Sequence, residues 1–405
     1  MSGGIITRIL RFRGIALKAA HHCLLAFSIL FAVSAQNKND KPVTSNLHQW
    51  GAVTLFHGLP SDRVRAIAQD ADGALWFGTD NGVAKYDGRR TQTVLIEGLD
   101  VVGRVLALQF EESGALWIGT DAGAARLANG QFQVIAETKE QTVTAILLPE
   151  RGRALLATAQ GVVYECRVVS VEDDADRASS FNSRGEDGPT VRETVIVRAL
   201  PETALASADT ERPGLLHLTS LAQGTNSVVY AGTRSRGVLA FENGAVRELN
   251  SRPRAFFVEA VEQDADGALW IGARAKGADS GLYLARDVLR PSKIGNGIGT
   301  VNAIKRGAGD DLWVGTDGQG ALLVRGGRIV ERFTFAGTAG GLRSDQISAV
   351  FVDREGVVWF GTDRGVCRYD PRAARNERVS EDAESNFVRV LYRTKSGELL
   401  CGTNR

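Results

Sequence analysis

A short motif, an apolar residue followed by Trp, then Phe, Ile or Val, then Gly-Thr, returns along the chain and limits what it can fold into. The first clear copy opens with Val64-Arg65-Ala66-Ile67-Ala68-Gln69-Asp70. It turns through Ala71-Asp72-Gly73 and continues as Ala74-Leu75-Trp76-Phe77-Gly78-Thr79. Asp80-Asn81-Gly82 leads into Val83-Ala84-Lys85-Tyr86-Asp87, and a last stretch runs from Thr91 to Ile96. Apolar and β-branched residues near period two suit strands. Asp-Ala-Asp-Gly and Asp-Asn-Gly suit tight turns, where a glycine takes positive φ without steric cost. Four antiparallel strands in about 40 residues make one propeller blade.

The later copies keep the pattern. Trp117, Trp270, Trp313 and Trp359 head Trp-x-Gly motifs, and three copies lack Trp: Leu155-Leu156-Ala157-Thr158, Val229-Tyr230-Ala231-Gly232-Thr233 and Leu400-Cys401-Gly402-Thr403. Trp76 to Trp117 is 41 residues, Trp270 to Trp313 is 43 and Trp313 to Trp359 is 46. That spacing fits blades and not a helical repeat of about 33. The expected fold is an all-β propeller of seven four-stranded blades over 52–380, with an incomplete further blade over 381–405. Each repeated Trp reads as a wedge between blades rather than a platform for sugars.

Two departures from the period need an account. Leu155 to Val229 spans 74 residues, and the polar stretch 171–193 reads as a solvated insertion in blade three, with Thr194-Val195-Ile196-Val197 as the returning strand. At the N-terminal end, Ala52-Val53-Thr54-Leu55-Phe56 resembles Thr93-Val94-Leu95-Ile96. It is expected to close the ring by joining the sheet that contains Ile347 to Tyr369, which removes an exposed edge. At the other end, Cys401-Gly402-Thr403-Asn404-Arg405 aligns with the middle of a hairpin, so the chain reads as a fragment of a longer protein.

Residues 1–35 read as a signal peptide, followed by a lead over 36–51. Arg8, Arg11, Arg13 and Lys18 are basic; Cys23 to Val33 is apolar or small apart from Ser28; Val33-Ser34-Ala35 offers a cleavage site. The apolar core is shorter than the ~20 residues needed to span a bilayer. The mature chain is therefore expected to be periplasmic or secreted, or membrane-anchored in a longer form. Cys166, Cys367 and Cys401 remain, an odd number that makes no disulfide framework, and Cys367 and Cys401 read as small buried hydrophobes. His48, His57 and His217 sit in no metal-ligand pattern, and no metal or cofactor is expected. The Asp-x-Asp-Gly segments read as turns, since a strand follows directly where a calcium loop would continue. A net charge of +1 gives no support for nucleic acid. No nucleophile elbow, zinc motif or phosphate loop is present, so the chain is not expected to be an enzyme.

Gly58-Leu59-Pro60-Ser61-Asp62 with Val64, followed by Asp70 to Thr79 and Gly82 to Asp87, resembles the two-component regulator propeller repeat. Gly341-Leu342-Arg343-Ser344-Asp345-Gln346-Ile347 with Trp359 to Asp370 is a second close match. The resemblance covers residues 50 to 405. It implies the periplasmic sensor region of a histidine kinase, hybrid or cyclic-dinucleotide receptor, in seven-bladed rings that are often paired. The implied partners are a small-molecule or glycan ligand and a kinase or cyclase module in the same full-length protein. The alternative is a stand-alone secreted propeller, either a lyase-type enzyme or a protein-interaction scaffold. Loops before the first strand of a blade supply repeated polar groups near the axis; the candidate ligand-binding residues are Asp62, Arg63, Arg343 and Asp345.

Overall fold

The computed structural model describes residues 49–95, 103–172, 191–200, 216–242, 245–249, 257–275, 279–286, 291–373, 388–395 and 398–403. All of them belong to the unit Ser45–Arg405. The expected signal peptide and His48 lie outside the described residues.

Seven four-stranded antiparallel sheets make a propeller. Blade one comprises Val64–Gln69, Leu75–Thr79, Gly82–Tyr86 and Thr91–Val94. Blades two to six repeat this order, their first strands beginning at Val105, Val143, Leu218, Phe257 and Val301. Blade seven takes Ile347–Val352, Val358–Thr362 and Gly365–Tyr369 from one end of the chain and its fourth strand, Trp50–Val53, from the other. First strands of neighbouring blades lie side by side around the circuit, blade seven against blade one included. They form the inner ring, and fourth strands form the rim. Among the described residues there is no α-helix.

The motif's residues divide the work of holding blades together. Each Trp is buried and packs forward onto the next blade: Trp76 joins Val105 and Leu116, Trp270 joins Val301 and Leu312, and Trp359 joins Val64 and Phe77. The motif glycine makes room for that approach. A Cβ on Gly272 would lie 2.6 Å from Val301 Cγ1, and one on Gly315 would lie 2.6 Å from Ile347 Cγ2. The threonine closes the next turn: Thr79 Oγ1 donates to the Gly82 carbonyl at 2.9 Å and accepts the Asn81 N–H at 3.1 Å.

The Asp-x-Asp-Gly segments are turns, and their first carboxylate also anchors the Trp. Asp70 accepts the Ala74 N–H at 2.9 Å and the Trp76 Nε1–H at 3.0 Å. Asp264 does the same for Ala268 and Trp270, and Asp353, of an Asp-x-Glu-Gly turn, for Val357 and Trp359.

Three expectations need correction. The closing strand starts at Trp50 and ends at Val53, while Leu55–His57 forms a 3-10 turn. Trp50 sets this register by packing on Tyr369, with ring centroids 4.7 Å apart, and on Phe333 at 5.9 Å. In blade three, the third strand runs Val163–Glu172 and the fourth Val191–Ala199, with Glu172 opposite Val191. The ladder therefore extends through both ends of the 171–193 stretch, because β-branched residues on both strands continue the pairing. It carries Glu193 to 2.8 Å from Arg126 Nη1 of blade two, whose buried guanidinium also binds Glu111. Residues 173–190 lie outside the described set. Finally, Cys401 is exposed, whereas Cys166 and Cys367 are buried. Cys401 sits on a two-stranded hairpin, Val388–Arg393 with Leu399–Thr403, whose sheet has no further strand among the described residues.

Candidate ligand-binding face

The loops before first strands meet the turns between second and third strands on one face of the ring. The Asp80 N–H donates to the Arg63 carbonyl, Asp121 to Arg104, Arg234 to His217 and Asp317 to Thr300, all at 2.9–3.1 Å. The candidate residues Asp62, Arg63, Arg343 and Asp345 all belong to this face, at blades one and seven.

Their roles within the fold differ. Asp62 Oδ1 accepts the Leu55 N–H at 2.7 Å, and its carbonyl accepts the Gly365 N–H of blade seven at 2.7 Å. Asp345 repeats this one blade earlier, taking the Phe335 N–H at 2.6 Å on Oδ1 and the Gly318 and Gly320 N–H groups on its carbonyl. Both aspartates therefore latch adjacent blades. Arg63 lies 3.6 Å from Asp80 with its side chain more than half exposed. The Arg343 N–H donates to Cys367 Sγ at 3.1 Å. Burial pushes the Cys367 and Cys166 thiols up to about 12, so neither supplies a thiolate near neutral pH.

A second ring, polar except at blade two, went unmarked by sequence reasoning. Every blade's first strand has a β-bulge near its start, after its first residue or, in blade five, after Val258. The extra residue is Arg65, Leu106, Thr144, Thr219, Glu259, Asn302 or Ser348. Bulges re-aim side chains, and here they reach toward the neighbouring inner strand. Thr144 Oγ1 donates to the Leu218 carbonyl at 2.9 Å, Thr219 Oγ1 to Val258 at 2.6 Å, and Asn302 Nδ2 to Ile347 at 3.1 Å. The signal in the sequence is apolar-x-Ala (Ser in blade four) at the start of each blade.

Charge is reversed across this ring. In blade one the bulge is Arg65, bound to Asp80 of the turn. In blade five the bulge is Glu259, held by Arg274 at 3.1 Å and by Arg234 of blade four at 3.3 Å. His217 lies beside them; burial, and then the Arg234 charge, hold its imidazole below the usual histidine range, with Glu259 opposing. The two guanidiniums, each nearly half exposed, exceed the one carboxylate, an arrangement suited to anionic or hydroxyl-bearing groups. Among the described residues no group of three or more His, Cys, Asp or Glu side chains is placed to hold a metal ion.

The model of the family described as two component regulator propeller matches residues 58–81 and 341–364. These two segments carry the Asp62 and Asp345 latches, the bulges and the Trp-Gly-Thr motifs of blades one and seven. Two segments of the chain thus match the two-component regulator propeller repeat. The chain also resembles solved structures. The extracellular domain of BT4673 from B. thetaiotaomicron, described as a one component system in one structure and a hybrid two component system in another, is 18% identical. The first of these aligns with a TM-score of 0.60 over 88% of this chain and 45% of that one. The chain thus spans less than half the length of that domain. Virginiamycin B lyase from Staphylococcus aureus, solved with quinupristin, is 14% identical, with a TM-score of 0.56 over 79% of this chain and 98% of that one. YCF48 from Cyanidioschyzon merolae is 13% identical, with a TM-score of 0.56 over 80% and 99%. At these identities the likeness is one of fold. No curated protein sequence matches the chain.

Proposed function

We propose that the chain is the extracytoplasmic ligand-sensing propeller of a two-component-type signalling receptor. The observation that carries this reading is the family match at the two blades where the ring closes. The fold likeness to an extracellular domain of a signalling system supports it. No helix among the described residues is long and apolar enough to cross a membrane. In this reading a small molecule or glycan is captured at the channel mouth, over Arg63, Arg65, Arg234, Glu259 and Arg274. Capture transmits a signal only if the ligand binds two arrangements of the receptor with different affinity. The output belongs to a kinase or cyclase module in the same protein.

The test has two parts. In cells, an Arg63→Ala/Arg343→Ala pair and an Arg234→Gln/Arg274→Gln pair are introduced, and the transcriptional response to the ligand is measured. Loss of response with normal abundance in either pair supports the reading. Turnover of a substrate by the purified chain, with no associated signalling module in the coding sequence, overturns it in favour of a secreted lyase-type propeller.

A further inference from the structure

The interface between blades three and four departs from the others at two motif positions of blade three. Blades one, two, five, six and seven place Trp in the second strand, facing the next blade; blade three places Leu155 there. Its motif glycine is also replaced, by the buried Ala157. A leucine fills much less volume than an indole, and close-packed interiors do not collapse fully around such a deficit. The gap persists as a cavity of about 210 Å³. Leu155 and Leu200 of blade three line it, facing Val229 and Phe241 of blade four. Apolar cavities of about 150 Å³ accommodate benzene, so this one has room for a phenyl ring and its methylene.

Two charged side chains also line the cavity: Arg198 on the fourth strand of blade three and Glu242 at the end of the third strand of blade four. Neither has a side-chain partner among the described residues, and they make no ion pair with each other. The third charge, Arg153, is already bound to Glu165 at 2.6 Å and Glu150 at 3.5 Å. An apolar pocket with a few polar groups at its edge is the usual form of a small-molecule site. A guanidinium and a carboxylate, each lacking a partner, complement a carboxylate and an ammonium.

We propose that this inter-blade cavity binds an apolar α-amino acid, with the side chain between Leu155 and Phe241, the carboxylate on Arg198 and the ammonium on Glu242. The site lies between blades three and four, apart from the channel mouth, and does not depend on the sensor reading.

The full chain is titrated calorimetrically with L-phenylalanine, with 3-phenylpropionate, which lacks the ammonium, and with phenethylamine, which lacks the carboxylate. Phenylalanine should bind saturably, and each analogue should bind roughly tenfold more weakly, the loss of one charge-assisted contact. Arg198→Gln should weaken phenylalanine and leave phenethylamine unchanged; Glu242→Gln should weaken phenylalanine and leave 3-phenylpropionate unchanged. Leu155→Trp should abolish binding and raise the thermal midpoint. Should that variant misfold, Ala245→Phe at the exposed rim blocks the same cavity without altering the core. Absence of saturable phenylalanine binding overturns the proposal. So does binding that survives the blocking variants, or analogues that bind as tightly as phenylalanine.

Discussion

Asp264 illustrates how one carboxylate serves both the backbone and a core side chain. One oxygen closes the turn at Ala268 and the other satisfies the buried Trp270 indole. Asp264→Ala leaves both donors unpaired, and a buried unpaired donor costs about 1–3 kcal/mol. The expected loss, about 2–4 kcal/mol by urea denaturation, should shrink when Trp270→Phe is added, because the indole donor is then absent. Glu111 extends the theme with the Trp117 indole and the Arg126 guanidinium. Burial alone would raise its carboxyl, but hydrogen bonds from Arg126, Ser113 and Trp117 hold it below the ordinary value. A folded pKa below the unfolded one means that the unfolded chain takes up the proton first as pH falls. The contribution of Glu111 is thus full above the ordinary carboxylate value of about 4.3 and lost as pH falls through the lower folded value. Denaturation midpoints measured across that acid window should fall more gently for Glu111→Gln than for the parent.

Between elements, the motif glycine decides how closely blades approach. Gly272→Ala and Gly315→Ala each set a methyl group 2.6 Å from a side chain of the next blade, and overpacking of this kind costs about 1–3 kcal/mol. Gly402, in the C-terminal hairpin, meets nothing nearer than 3.5 Å, so Gly402→Ala should leave the midpoint unchanged. Equal effects at all three sites would contradict a blade-packing role. Blades four and six show a different solution where the anchoring carboxylate is missing. Gly224 and Gly307 stand six residues before Tyr230 and Trp313, and a Cβ there would lie 2.5 Å from the Tyr230 ring and 2.9 Å from Trp313 Nε1. This substitution was visible in the sequence but had no meaning until the ring positions were known.

The whole molecule is closed by non-covalent means. Trp50–Val53 covers the edge of Gly365–Tyr369, and Asp62 ties blade one to the Gly365 turn. A chain beginning at Thr54 would expose that edge and remove Trp50 from its contacts with Phe333, Phe360 and Tyr369. Its thermal midpoint should drop and its light scattering should rise with concentration, as an uncovered strand recruits other chains. An unchanged midpoint would show that the strand contributes nothing to closure.

By itself the sequence determined the propeller class, the blade pattern and the wedge role of Trp76, Trp117, Trp270, Trp313 and Trp359. Strand periodicity and turn chemistry are local, and the repeat multiplies that local signal seven times over. It also pointed to the loops of Asp62, Arg63, Arg343 and Asp345, though not to the latching by the two aspartates. The tertiary structure alone decided the register of Trp50–Val53, the ring of bulge residues, the opposed charges at Arg65 and Glu259, and the cavity beside Leu155. Each of those depends on which strands from distant parts of the chain come to lie together. The Trp-Gly-Thr pattern records that blades pack; only the assembled ring shows where a missing Trp leaves space.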